Sequence, residues 1–183
     1  ERKAIYENMV DVLARLHAVD YRAIGLADYG KGDYLTRQVG LWTRQFQAAQ
    51  TEELRSMQLL GNWLSSNIPA EGRTTIVHGD YRPNNLLMHP SQPRVAAVLD
   101  WELSTLGDPL CDLAYTCFCY YIDAPPVGFG GADTVALGIP SENELVAMYC
   151  EHTGASVHDW TFYLALQLYK SASILQGVVK RAL

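Results

Sequence analysis

The stretch from Ile76 to Leu87, IVHGDYRPNNLL, decides how this chain is read. A β-prone apolar pair, Ile76 and Val77, runs into His78, Gly79 and Asp80. Arg82, Pro83 and two asparagines follow before the chain turns apolar again at Leu86. Gly, Asp, Pro and Asn in this order also suit a plain surface turn, because each meets a backbone demand of turns. The flanking segments separate the two readings.

Three short β-prone runs lie around the stretch, at 74–77, 86–88 and 95–99, with turn-rich segments between them. Polar residues sit at their ends: His78-Gly79-Asp80 after the first, Asn84-Asn85 before the second, Asp100-Trp101 after the third. If the strands pair with one another, Asp80, Asn85 and Asp100 come to one rim. Two carboxylates and an amide oxygen form a hard oxygen site. That chemistry suits Mg²⁺, which takes few protein ligands and keeps places for phosphate oxygens.

Helical patterns surround this β element. Ile5, Met9, Val12, Leu13 and Leu16 recur at steps of three and four, so the spacing predicts an amphipathic helix over 2–19. Loop follows to Gly32, then helices over 33–49 and 52–67, the second opened by Thr51 as N-cap. After Asp108-Pro109 the pattern predicts helices over 110–121, 142–152 and from 159 onward, with Ser141 and Glu144 as a capping box. A loop rich in Gly and Pro, residues 124–140, joins the first two. The fold class is mainly α with a small β element (α+β), in a single domain over residues 1–183.

Composition excludes several function classes. The formal charge of −6 and pI near 5.3 argue against nucleic acid, whose backbone is gripped by clustered Lys and Arg. Residues 160–179 match a membrane span in length, but Gln167, Lys170 and Gln176 interrupt them, so no membrane partner is expected. Cys111, Cys117, Cys119 and Cys150 show no CxxC or disulfide-framework spacing and read as buried thiols of a cytoplasmic protein. The N-terminus carries no signal peptide and no Met, which suggests a chain that begins inside a longer protein.

The spacing around Asp80 then becomes specific. His78, Asp80 and Asn85 fit H-x-D-x-x-x-x-N, the catalytic-loop pattern of protein kinases. Asp100 stands 20 residues after Asp80, where the metal-binding Asp of the DFG segment would be, followed by Trp101 and Glu102 in place of Phe and Gly. With VHGDYRPNNLL and then VLDWELSTLGDPLCDLAY, the chain resembles the aminoglycoside phosphotransferase family of kinase-like small-molecule phosphotransferases. It is most similar to the branch whose members stand alone in bacteria or are fused to acyl-CoA dehydrogenases. The motifs cover most of residues 1–120.

The resemblance implies the C-terminal lobe of a protein-kinase-like fold, with ATP as co-substrate and Mg²⁺ as cofactor. It implies Asp80 as the base or hydroxyl-orienting group, Arg82 as a catalytic cation, and Asn85 and Asp100 as metal ligands. Arg82 could equally pair with a substrate carboxylate or phosphate. His78, Asp108 and Asp112 take supporting roles: His78 props the loop, Asp108 caps the helix that Pro109 opens, and Asp112 braces the catalytic loop from within. The bland readings stay beside these. Asn84 serves the turn, His17 is a packed or capping histidine, and Tyr115, Phe118, Tyr120 and Tyr121 are core aromatics of which one or two could line a substrate pocket. His89, His152 and His158 show no metal spacing.

A kinase also needs a glycine-rich loop over the phosphates and a strand-borne Lys, both from an N-terminal lobe. GFGG at 128–131 follows no strand and does not qualify, so the N-terminal nucleotide-binding lobe is expected to be absent from this chain. The main nucleotide contacts would lie in that lobe. The chain alone should then turn over little and expose an apolar interlobe face that invites dimerisation. The expected activity is ATP- and Mg²⁺-dependent phosphoryl transfer to a hydroxyl of a small metabolite, a hydroxy acid or hydroxyacyl-CoA being favoured. The alternatives are an aminoglycoside- or choline-type kinase, a non-catalytic kinase-like binding domain, and a metal-dependent phosphohydrolase.

Overall fold

The computed structural model describes residues 1–30, 32–70, 72–124 and 128–183. Three helices come first: α1 (Arg2–His17), α2 (Tyr34–Ala49) and α3 (Arg55–Ser66). The β element follows as β1 (Thr75–Val77), β2 (Leu86–Met88), β3 (Val95–Val98) and β4 (Thr105–Gly107), and then α4 (Leu110–Cys117), α5 (Glu142–Thr153) and α6 (Trp160–Ala182). The chain is mainly α with few strands, as the sequence pattern predicts. Residues 125–127 of the Gly- and Pro-rich loop lie outside the described residues.

The apolar stripes account for the packing. α1 buries Met9, Val10, Leu13, Ala14 and His17 on one side and lies against α5. α6 is the central helix, packed on α2, α3 and α4 through Phe162, Leu166 and Tyr169. At about 25 cal/mol per Å² of apolar surface removed from water, these stripes are the main stabilising term. Among the described residues no helix is long and apolar enough to cross a membrane. The four cysteines are free, two of them buried.

The β element departs from expectation. The strands do not form one sheet: β1 pairs antiparallel with β4, and β2 pairs antiparallel with β3, as two separate ribbons. β4 was not anticipated, since Thr-Leu-Gly is too short to show alternation and its partner lies some 30 residues upstream. Gly107 is needed there, because a Cβ would sit 2.6 Å from the Tyr34 ring.

Three local details also differ. Thr51 caps nothing: α3 starts at Arg55, and the Thr51 hydroxyl instead accepts from Gln176 Nε2 at 2.9 Å. The helix expected over 110–121 ends at Cys117 and tightens into a 3₁₀ turn over Phe118–Tyr121. Pro109 has helical dihedrals but precedes the assigned α4, so the Asp108 cap acts one residue early, with Asp108 Oδ1 accepting from the Leu110 amide at 2.9 Å. The Ser141–Glu144 capping box forms as expected.

Candidate active site

The loop between β1 and β2 starts with a backbone reversal that only glycine makes without strain. Gly79 has φ +84°, and a Cβ there would sit 2.8 Å from the Leu103 carbonyl. The loop then buries Tyr81, whose hydroxyl donates to the Met9 carbonyl at 2.8 Å. It closes as a 3₁₀ turn over Pro83–Asn85, with Pro83 fixing the first position.

Asp80 and Asn85 meet across this loop. Asn85 Nδ2 donates to the Asp80 carbonyl at 2.9 Å and to Asp80 Oδ2 at 2.7 Å. Asn85 is buried while Asn84 is exposed, which separates the two adjacent amides in environment. Arg82 Nε approaches Asp80 Oδ1 at 3.4 Å, an ion pair too oblique for a hydrogen bond, so that Nε is buried without one. The Tyr115 phenol is raised above its ordinary range, by burial first and then by the neighbouring Asp80 carboxylate.

Asp112 holds the loop from beneath. Its two oxygens accept from the His78 amide at 2.5 Å and from the Gly79 amide at 2.8 Å. The carboxylate is 1% exposed and also faces His17 Nε2 at 3.3 Å, while His17 Nδ1 meets the Tyr149 hydroxyl at 2.7 Å. His78 is itself fully buried and occupied: Nδ1 accepts from the Asp80 amide at 3.3 Å, so Nε2 donates to the Leu99 carbonyl at 2.9 Å. Both ring nitrogens are engaged with backbone. Asp108 Oδ2 accepts from the Tyr163 hydroxyl at 2.9 Å and ties the start of α4 to α6.

Asp100 stands at the far side. The Leu99 amide donates to the Asn85 carbonyl at 2.8 Å, which carries the β2–β3 pairing one step further and sets Asp100 beside Asn85 in the backbone. Asp100 is exposed at φ +64°, a left-handed conformation that Asp tolerates better than most residues. The Trp101 ring lies 4.9 Å from that of His78. Leu87, Leu99, Trp101 and Leu103 are exposed around this edge.

The donor set fits a magnesium ion. Asn85 spends its nitrogen on Asp80, and among the described residues neither its Oδ1 nor the Asp100 carboxylate accepts a hydrogen bond. Among those residues no three His, Cys, Asp or Glu side chains gather into a protein-only metal cage. Two oxygen donors with room for other ligands is the mode expected of Mg²⁺ with phosphate.

A cavity of about 230 Å³ opens beside the loop, walled by Tyr6, Tyr115, Phe118 and Phe129, with Arg82 as its cation. Tyr115 stacks on Phe118 at 4.8 Å between centroids. Two of the aromatics assigned to the core by the sequence pattern therefore also line a cavity. Sequence reasoning missed Lys170 altogether as a neighbour of the loop: its Nζ donates to the Gly79 carbonyl at 2.6 Å. The signal was present, as a lysine in the middle of an apolar helix.

A profile of the phosphotransferase enzyme family matches residues 1–154. The chain is 48% identical over 187 residues to acyl-CoA dehydrogenase family member 10 of Mus musculus, covering 100% of this chain and 18% of that protein. It is 43% identical to acyl-CoA dehydrogenase family member 11 of Homo sapiens, covering 100% of this chain and 24% of that one. The chain thus spans about a fifth to a quarter of the length of these curated relatives. Among solved structures, a Ralstonia eutropha protein assigned to the aminoglycoside phosphotransferases superposes with a TM-score of 0.93 at 49% identity, over 98% of this chain and 56% of that one. The macrolide 2′-phosphotransferase of Brachybacterium faecium shares the fold, with a TM-score of 0.62 at 20% identity over 99% of this chain and 57% of that one. A kinase-like fold carrying the HGD loop, the LDW strand end and the GDPLCDLA helix, matched over residues 1–154, belongs to the phosphotransferase enzyme family.

Proposed function

We propose that this chain is the catalytic lobe of an ATP- and Mg²⁺-dependent O-phosphotransferase that acts on a small hydroxylated metabolite. The observation that carries the reading is the Asp80–Asn85 pair, locked together at 2.7 Å in the β1–β2 loop beside an aromatic cavity. Asp80 orients the acceptor hydroxyl and takes its proton as the acceptor oxygen bonds to the γ-phosphorus of ATP, whose bond to the bridging oxygen breaks and releases ADP. Asn85 Oδ1 and the Asp100 carboxylate are the groups that would hold Mg²⁺, which when bound neutralises charge on the phosphate oxygens. Arg82, tethered to Asp80, offers a guanidinium at the mouth of the cavity for an anionic group of the substrate or of the transferred phosphoryl. The nucleotide's glycine-rich loop and strand-borne lysine would come from a lobe outside residues 1–183.

A cavity of about 230 Å³ with apolar walls and one cation suits a short acceptor or the end of a longer one. Relatives named as acyl-CoA dehydrogenase family members favour a hydroxy acid or its CoA thioester over an antibiotic. Asp80→Asn in the full-length protein is the test, assayed with ATP, Mg²⁺ and a panel of hydroxy acids and hydroxyacyl-CoA thioesters. The amide keeps the shape of the side chain, and a loss of γ-phosphoryl transfer of at least about 100-fold is expected. Transfer surviving within about tenfold of wild type removes Asp80 from the role of base.

A further inference from the structure

Lys170 occupies the third turn of α6 and is 7% exposed. A buried ammonium is costly unless it is paired, yet among the described residues no carboxylate comes within ion-pair distance of it. Its partners are instead one backbone carbonyl and two aromatic faces. Nζ donates to the Gly79 carbonyl at 2.6 Å and lies 4.5 Å above the Tyr115 ring and 5.6 Å above that of Trp42. A methionine would fill the same volume without desolvating a charge, so packing alone does not account for a lysine here.

Both of its main contacts lead to one side chain. The Gly79 carbonyl belongs to the peptide unit whose nitrogen is that of Asp80. The Asp80 carboxylate is also the neighbour that, after burial, raises the Tyr115 phenol. Burial is the largest influence on the ammonium and lowers its pKa, while the Asp80 and Asp112 carboxylates act against that and favour the charged form. Lys170 lines a small recess with Trp42, Gly79 and Asp112, on the inner side of the loop and apart from the aromatic cavity. It therefore reaches the chemistry only through its neighbours.

We propose that Lys170 is a positioning residue of the phosphoryl-transfer site, a buried cation that fixes the Gly79–Asp80 peptide and the Tyr115 ring from inside the fold and so aims the Asp80 carboxylate. The proposal rests on the phosphotransferase reading given above, and two of its measurements need no acceptor.

The experiment compares wild type, Lys170→Met and Lys170→Arg as full-length proteins. Three quantities are read: the thermal midpoint, hydrogen–deuterium exchange of the peptide spanning 78–85, and transfer from Mg·ATP to a panel of short hydroxy acids. Lys170→Met should melt at or above the wild-type temperature, because a desolvated charge has been removed. Its 78–85 peptide should exchange about tenfold faster, as the loop loses its inner anchor. Its kcat should fall about tenfold or more with the KM for ATP within about twofold, the split expected when orientation rather than binding is lost. Lys170→Arg, which keeps the charge and a donor, should recover most of the rate.

Lys170→Met with wild-type exchange and wild-type kcat overturns the proposal. So does a loss of kcat that tracks a fall in the thermal midpoint and that a folded Lys170→Arg leaves unrepaired. If wild type itself transfers no phosphoryl group, the functional reading fails, and the exchange comparison still decides whether Lys170 holds the loop.

Discussion

Gly79 and Asp112, separated by 33 residues, are joined by a hydrogen bond of 2.8 Å from the glycine amide to Oδ1 of the carboxylate. The other oxygen takes the His78 amide, so both acceptors are committed to backbone donors. Asp112→Asn turns one acceptor into an NH₂ that faces an amide N–H. The expected loss is about 2 to 3 kcal/mol of folding stability, with phosphoryl transfer falling further than stability explains. Chemical denaturation and ATP-dependent turnover of the full-length variant check both parts.

Gly79→Ala should be as damaging by a different route. The residue sits at φ +84°, and a methyl group would meet the Leu103 carbonyl at 2.8 Å. The left-handed conformation costs an L-residue about 1 to 2 kcal/mol before the clash is counted. A drop of about 2 to 4 kcal/mol in unfolding free energy is expected. A variant that melts with wild type would show that the reversal at Gly79 is not required.

Asn85 carries two separable duties. Its nitrogen bonds Asp80, and its oxygen is the group assigned to metal. Asn85→Ala should cost about 1 to 2 kcal/mol of stability through the lost hydrogen bonds. It should also raise the Mg²⁺ concentration needed for half-maximal turnover. Titrating Mg²⁺ at saturating ATP distinguishes the two, because a purely structural loss leaves the Mg²⁺ midpoint in place.

The capping box at α5 gives a pH dependence. Hydrogen bonds from the Ser141 amide and then from its hydroxyl hold the Glu144 carboxyl below its ordinary value. A depressed folded-state pKa adds stability above the unfolded value, and that share disappears as pH falls through the folded value. Melting curves of wild type and Glu144→Gln should therefore differ at about pH 7 and converge as pH falls below the ordinary carboxylate range. A gap that widens on acidification contradicts this sign.

The helices were legible because their cores are periodic. Met9, Leu13 and the rest of the α1 stripe recur every three or four residues, and Ser141 with Glu144 marks a start by local chemistry alone. What escaped depends on partners distant in the chain. β4 exists only because Thr75–Val77 pairs with it, and Thr51 fails as a cap because Gln176, 125 residues away, takes its hydroxyl. The positions of Asp80, Asn85 and Asp100 in the motif were readable from spacing. Their gathering was expected too, but not the pairing behind it, since two ribbons and not one sheet carry them. Lys170 reaches Gly79 across 91 residues, a distance at which no local pattern speaks.

The β1–β2 loop is gripped by its main chain. Asp112 takes the amides of His78 and Gly79, and Lys170 takes the Gly79 carbonyl. Asn84, which is exposed and lines the cavity, contributes nothing to that grip, whereas Arg82 is paired with Asp80. The loop thus resembles a tool holder with an exchangeable bit. Residue 84 can be replaced to refit the cavity to a new acceptor while the carboxylate at position 80 keeps its aim, which makes it the first place to vary when the acceptor proposed for this site is to be changed.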